Sequence, residues 1–205
     1  KNNTTLVAIN QVTQPENFDP DNPDHIYAAS GRFSKRISKI EYRLNATLSY
    51  SELFSRVNEA LQQSESFTQN YRLSARSSFS EWPNFEVGYN WTRNQYNNGR
   101  VDQLFFTQRP YFSLDVNFLK SFYWTVNWDF YDYSNQENTI RNNYSFLNST
   151  LYYQEQDSHW EFSLQGTNLT NNQATNTDSF TEQFNSTSQY IVLPRIIMFV
   201  VKYDL

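Results

Sequence analysis

Apolar and polar residues alternate along much of this chain. From residue 40 to residue 51 every second side chain is apolar, and those between are polar or charged. The pattern recurs at 67–80, 85–92, 111–118, 122–131, 160–165 and 197–205, and more weakly at 4–10, 26–33 and 141–154. A period of two is typical of β-strands that border an apolar phase on one side only. The sequence therefore predicts an all-β protein with about ten antiparallel strands.

The connections between the predicted strands alternate in length. Short connections cover residues 34–39, 81–84, 119–121 and 156–159, and long polar ones cover 11–24, 52–66, 94–103, 134–139 and 166–188. Outer-membrane β-barrels have short turns at the periplasmic end and long loops at the extracellular end. Aromatic side chains flank both sets of connections. They are Trp82, Phe122, Tyr123, Trp124 and Trp160 at the short ones, and Trp91, Tyr131 and Tyr133 at the long ones. This distribution predicts two aromatic girdles at the membrane interfaces.

Composition narrows the class of protein. Aromatic residues make up 18% of the chain, and charged residues also make up 18%, which excludes a disordered tail and a coiled coil. The chain has no cysteine, so disulfides and thiolate metal sites are excluded. A net charge of -5 provides no basic surface for nucleic acid, and we expect none as a partner. The mean hydropathy of -0.76 is compatible with a barrel, because it averages two opposite faces.

Four segments carry a resemblance to a known family. They are "GRFSKRISKIEYRLNATLSYS" at 31–51, "EWPNFEVGYNW" at 81–91, "GTNLTNN" at 166–172 and "LPRIIMFVVKYDL" at 193–205. Together they resemble the C-terminal barrel part of TonB-dependent receptors, in particular the outer-membrane β-barrel receptors of the Bacteroidota. The chain departs from the family where "NLTNN" lacks the usual Phe, and where Leu205 replaces the commonest final residue, Phe. The motifs of the glycan-importing branch are not seen, so a sugar substrate is not implied.

The resemblance implies a transmembrane antiparallel β-barrel in the bacterial outer membrane, with about 22 strands around a plugged lumen. Residues 1–205 would form its C-terminal part, and the N-terminal plug and earlier strands would lie outside this sequence. The implied function is uptake of a ligand through energy-coupled movement of the plug. The implied partners are membrane lipid, the plug and earlier strands, TonB acting through the plug, and a surface lipoprotein or other complex subunits. The residues of the implied C-terminal assembly signal are Phe199, Val201, Tyr203 and Leu205.

Two other functions remain open at this point. One is a barrel without a plug, acting as a passive channel or as a structural subunit of an outer-membrane complex. The other is a soluble, aromatic-rich β-sandwich that binds carbohydrate. Extraction of the protein without detergent would exclude both barrel hypotheses, and the full reading frame would separate a plugged receptor from a small complete barrel.

The polar faces of the predicted strands would line the lumen. They carry charged side chains that we call the charged wall: Arg43, Arg72, Arg76, Arg109, Glu86, Asp115 and Asp129. One hypothesis is that the charged wall contacts a plug or steers an anionic ligand. The other is that a wet lumen tolerates any polar residue, and the mixed signs favour it, since steering needs one sign to dominate.

The candidates for metal binding and catalysis are few. Asp19, Asp21 and Asp24 form a weak calcium candidate, because Ca²⁺ prefers several oxygen ligands. The segment lacks the glycine and final glutamate of an EF-hand, so a solvated turn is the simpler interpretation. The two histidines, His25 and His159, are far apart in sequence. We therefore expect no enzyme activity, no catalytic residue and no cofactor.

Overall fold

The computed structural model describes residues 4–9, 12–17, 21–57, 60–80, 83–180 and 185–204. Thirteen β-strands lie within these residues. They are β1 (Thr4–Ile9), β2 (Val12–Asn17), β3 (His25–Ile37), β4 (Ile40–Val57), β5 (Ala60–Ser77), β6 (Asn84–Asn97), β7 (Asp102–Phe118), β8 (Phe122–Asn135), β9 (Arg141–Gln154), β10 (Trp160–Thr167), β11 (Ala174–Phe180), β12 (Asn185–Ile191) and β13 (Ile196–Tyr203). Over the same residues, no helix has the length and apolar character needed to cross a membrane.

Nine strands form one large antiparallel sheet, which confirms the all-β class. Strands β3 to β10 follow one another in chain order, and β13 then pairs with β10. The β1–β2 hairpin joins the far end of β4 through a short parallel contact at Val7 and Ala8. In the described part of the chain the sheet is open, because β3 and β13 are each paired along one side only.

All ten predicted strands are present, but the structure has more strand than the alternation predicts. Strands β2, β11 and β12 lie in segments that we predicted to be long loops, and β4 and β5 extend to Val57 and Ala60. Alternation indicates a strand only where one of its faces borders an apolar phase. Backbone pairing can continue beyond such a segment, where the alternation is lost. The short connections are turns, as predicted, at residues 38–39 and 119–121.

The strand register aligns the apolar positions on one face of the sheet. Leu73 pairs with Leu44 on one side and Tyr89 on the other, and Phe112 pairs with Val87 and Trp128. These side chains are not covered by a second layer, since Leu73 is 56% exposed and Leu164 on β10 is 48% exposed. The sheet therefore presents a broad apolar surface to its surroundings.

This surface has a limited height, and we call it the apolar belt. On β4 it runs from Ile40 to Tyr50, and the next side chain on that face is Glu52. On β8 it runs from Phe122 to Phe130, and Asp132 follows. Each run matches the ~9–11 residues that a tilted strand needs to cross a bilayer. Beyond the belt the strands continue without strict alternation, and β4 carries Leu53 and Phe54 next to Glu52 and Ser55.

Several polar groups inside the apolar belt have partners within the sheet. The indole Nε1 of Trp124 donates to Ser149 Oγ over 2.8 Å. The Tyr89 hydroxyl likewise donates to Gln108 Oε1 over 2.8 Å. Pairing of this kind removes the cost of placing a hydroxyl or amide against an apolar environment.

Aromatic rings line the edge of the belt next to the short turns. Ring centroids lie 5.2 Å apart for Phe118 and Phe122, and 4.7 Å apart for Phe122 and Tyr153. Trp160 and Tyr203 continue the series across β10 and β13, with centroids 4.7 Å apart. Near the opposite edge, the predicted girdle residue Trp91 packs against Tyr71 and Phe106.

Three girdle predictions are wrong, and one lies outside the described residues. Tyr123 faces the polar side, where its hydroxyl donates to Asp115. Tyr131 and Tyr133 point to the polar face, because they are in register with Tyr144 and Asn142 there. Both are buried, and Tyr133 stacks on Phe105 with centroids 5.3 Å apart. The odd-numbered positions of β8 all face that side, so proximity to a long connection does not reveal the facing of an aromatic residue. Trp82 is the girdle residue outside the described part of the chain.

Candidate functional site

The polar face of the sheet carries all seven residues of the charged wall. The register arranges polar-face side chains in rows that run across neighbouring strands. One row alternates arginine with asparagine on β3 to β7, in the order Arg32, Asn45, Arg72, Asn90, Arg109. We call Arg32, Arg72 and Arg109 the arginine row. The rows closer to the short turns hold both signs of charge.

Close to the short turns, arginines and carboxylates are paired. The Arg43 guanidinium donates two hydrogen bonds to the Glu41 carboxylate, from Nε to Oε1 over 3.0 Å and from Nη2 to Oε2 over 2.7 Å. Arg36 lies 3.8 Å from the same carboxylate, and Arg76 Nε lies 3.9 Å from Glu86 Oε2. The bidentate pair has the stronger geometry, while the two longer contacts between exposed side chains contribute little free energy.

A cavity of about 630 Å³ lies over these ion pairs on the polar face. Its lining includes Arg36, Lys39, Arg43 and Arg76 as well as Glu41, Glu86 and Asp115. The Tyr123 hydroxyl donates a hydrogen bond to Asp115 Oδ1 over 3.2 Å. Because both signs are present and largely paired, this cavity has no strong preference for an anion or a cation.

Tyr111 connects the arginine row to the paired charges below it. Its hydroxyl donates to Glu86 Oε1 over 3.0 Å and accepts from Arg72 Nη2 over 3.2 Å. The Arg72 guanidinium carbon lies 5.5 Å from the centre of the same ring. This position requires Gly88, because a Cβ atom there would overlap the Tyr111 ring. An aromatic ring lying over a cross-strand glycine is a known way to stabilise such a glycine.

Substituting Gly88 tests this arrangement. We expect Gly88→Ala to lower the free energy of unfolding by about 1–3 kcal/mol, because the ring must leave an overpacked site. Urea unfolding followed by tryptophan fluorescence measures this change. Gly31→Ala is the matched control, since its added Cβ meets no atom within 4 Å. Equal effects of the two substitutions, or an undiminished effect in a Tyr111→Ala background, would show that the ring does not depend on the glycine.

The register places the seven residues of the charged wall on one face of the sheet, whereas Arg32, Gly88 and Tyr111 were not predicted from the sequence. Arg32 is near the end of a segment that was only weakly predicted to be a strand. Its place in the arginine row can be seen only when the pairing of β3 with β4 is known. Gly88 and Tyr111 both lie on predicted polar faces, but only the register of β6 with β7 brings them together. Asp129, in register with Tyr111, completes the same cross-strand row.

The calcium candidate residues are only partly described. Asp24 Oδ1 accepts a hydrogen bond from the backbone N–H of Phe54 over 2.9 Å, which ties the start of β3 to β4. Asp19 lies outside the described residues, so its distance to Asp21 and Asp24 is not defined. Within the described ranges, no group of three or more histidine or carboxylate side chains is arranged to hold a metal ion. Calcium binding therefore stays a prediction, and Asp24 has a structural role.

Three of the four residues of the predicted assembly signal lie on the belt side of the edge strand β13. Phe199 is in register with Leu164, Val201 with Phe162 and Tyr203 with Trp160. Phe199 is 66% exposed and stacks on Phe162 with centroids 6.2 Å apart. Leu205, the fourth residue of the signal, lies outside the described residues.

The "GTNLTNN" element forms a turn organised by Asn168, which we call the Asn168 clasp. Asn168 is 3% exposed, and its Nδ2 donates to the carbonyl oxygens of Asn172 and Leu193 over 2.7 and 2.9 Å. Its Oδ1 accepts from the Asn172 backbone N–H over 3.0 Å. Thr170 Oγ1 and Asn172 Nδ2 both donate to the Ser145 carbonyl oxygen on β9. The clasp thus closes the base of the β11–β12 hairpin and anchors it to the large sheet.

Comparisons of this chain with protein-family models, with curated proteins and with solved structures find no match. The geometry of the two faces and the resemblance carried by the four sequence segments are therefore the observations that bear on function.

Proposed function

We propose that this chain forms part of a β-barrel in a bacterial outer membrane, with the apolar belt facing lipid and the polar face lining a lumen. The apolar belt carries this proposal. Apolar surfaces of this extent are rarely left exposed on monomeric soluble proteins. The height of the belt, its polar boundary and its aromatic edge all fit an outer-membrane barrel, whose lipid-facing band is about 25 Å tall.

The open edges of the sheet support a barrel completed by further strands. Strands β3 and β13 expose unpaired backbone groups, which are costly in a bilayer and promote aggregation in water. With nine antiparallel strands, the two edge strands run in the same direction. Direct closure would pair them in parallel, so closure with antiparallel pairs throughout needs an odd number of additional strands. A total of about 22 strands satisfies that parity.

Within such a barrel, we propose ligand uptake coupled to TonB through an N-terminal plug. The support for this step is the family resemblance, together with a polar face lined with paired charges and a hydrogen-bonding tyrosine. Membrane lipid, the earlier strands and the plug are the partners that the proposal requires, and a surface lipoprotein would be a further subunit. A passive barrel without a plug is the alternative that the full reading frame tests.

Membrane extraction tests the barrel. We expect the protein to remain with the outer-membrane fraction after salt and alkaline carbonate washes, and to be released only by detergent. Release without detergent as a soluble monomer would contradict the proposal and favour a soluble sandwich. For the uptake function, we expect the full reading frame to encode a plug and earlier strands upstream of Lys1. A signal peptide directly before Lys1 would instead indicate a small passive barrel.

A further inference from the structure

Charge on the polar face is sorted by height along the strands. Between the arginine row and the long connections, the polar-face positions of β3 to β7 carry no charged residue. The row directly above the arginines consists of Ser30, Thr47, Asn70, Thr92 and Thr107. The carboxylates of Glu41, Glu86 and Asp115 lie on the other side, toward the short turns. On the polar face of β3 to β7, the three arginines therefore lie closer to the long connections than any carboxylate of these strands does.

The arginine row differs from the arginines below it in its partners. Among the described residues, no carboxylate lies within 4.0 Å of Arg32, Arg72 or Arg109. Neutral groups position these side chains instead. Arg32 Nε donates to Asn45 Oδ1 over 2.8 Å, Arg72 contacts Tyr111, and the Arg109 guanidinium carbon lies 6.0 Å from the centre of the Tyr131 ring. Hydrogen bonds and ring contacts fix their direction, and none of these contacts is a direct ion pair.

The asparagine between two of these arginines adds a hydrogen-bond acceptor. Asn90 lies in register between Arg72 and Arg109. Its Oδ1 atom is buried and has no hydrogen-bond partner. Adjacent strands are about 4.8 Å apart, so arginines on alternate strands can reach one ligand from two sides. The arrangement places exposed cationic donors on either side of a neutral amide.

We propose that the arginine row binds a small multivalent oxyanion, with carboxylate or phosphate groups, that enters from the side of the long connections. This ligand class rests on the proposed function in one respect, because the polar face must line an accessible lumen. Guanidinium groups bind carboxylate and phosphate oxygens through charge-assisted hydrogen bonds. Rings of arginine or lysine select anions in pores for the same electrostatic reason.

Titration calorimetry of the full chain in detergent tests the proposal, with citrate and pyrophosphate as probes. We expect binding that weakens with ionic strength, and an affinity about tenfold lower in Arg72→Gln or Arg109→Gln, the loss of one charged contact. Arg72→Lys keeps the positive charge, so its affinity for the probes should fall by less than that of Arg72→Gln. Arg36→Gln is the matched control, because it removes the same charge from the same face at a residue already close to Glu41. We expect less than a twofold change there.

Three outcomes would overturn this proposal. One is an equal loss in Arg36→Gln and Arg72→Gln, which would indicate a general charge effect. Another is the absence of binding by either probe to protein that requires detergent, which would leave the barrel proposal standing. The third is tighter binding of an acidic peptide than of citrate, which would identify a polypeptide occupant. Arginine-dependent citrate binding by protein that is soluble without detergent would support the ligand and contradict the barrel, so the two failures are distinguishable.

Discussion

Replacing Leu73 with arginine is expected to lower the free energy of unfolding in lipid by about 2–4 kcal/mol, the cost of arginine at the middle of a barrel's lipid face. Leu73 lies on β5 within the apolar belt, in register with Leu44 and Tyr89. If water faced the belt, its 56% exposure would make the same substitution nearly neutral, within about 0.5 kcal/mol. Urea unfolding in lipid vesicles, and the amount of the variant in the outer-membrane fraction, measure the difference.

The same strand offers a matched control on its other face. Asn70 is exposed on β5 and faces the polar side, where its Nδ2 donates to Thr92 Oγ1 over 2.7 Å. We expect Asn70→Arg to change the free energy of unfolding by less than about 1 kcal/mol, because only one exposed hydrogen bond is lost. Similar costs for the two substitutions would contradict the assignment of one face to lipid and the other to water.

Removal of the Asn168 side chain is the second large effect that we expect. Asn168→Gly leaves the carbonyl oxygens of Asn172 and Leu193 and the N–H of Asn172 without their partner. Buried polar groups left unpaired cost about 1–3 kcal/mol each. We expect the clasp to open about 2–4 kcal/mol more easily, so that amide exchange at Asn172 and Val192 accelerates at least tenfold.

The backbone of the clasp supplies two further comparisons. Asn168 has a φ of 51°, in the left-handed region, so Asn168→Ala should cost about 1 kcal/mol more than Asn168→Gly. Asn171 has a φ of 58° and is exposed, and its Oδ1 accepts one hydrogen bond of 3.3 Å from the Arg195 N–H. Asn171→Gly should therefore leave exchange nearly unchanged. Equal acceleration in Asn168→Gly and Asn171→Gly would show that the buried side chain does not hold the hairpin.

The polar face shows why a count of charges is a poor guide to what a lumen binds. In sequence, the charged wall has four arginines and three carboxylates, and this balance favoured an indifferent wet surface. In the structure, Arg43 and Arg76 lie close to carboxylates, whereas Arg72 and Arg109 do not. The sign that dominates at one height of the sheet is hidden when charges are summed over the whole strand.

Some features of the candidate site could be predicted from the sequence alone. The alternation at residues 40–51 and 122–131 placed the side chains of β4 and β8 on the correct faces, because the period of a strand leaves no other choice. It did so for all seven residues of the charged wall. It failed at residues 52–66 and 166–188, where apolar and polar residues no longer alternate although β4, β5, β11 and β12 continue there.

The all-β class, the antiparallel order and the two faces of each strand were therefore readable from the chain, because each depends on local period and on connection length. The arginine row, the position of Tyr111 over Gly88, the stacking of Tyr133 on Phe105 and the Asn168 clasp were not. Each of these depends on which residue lies opposite which across neighbouring strands. Register is a long-range property: a shift by one residue moves every side chain to the other face, and only the paired sheet defines it.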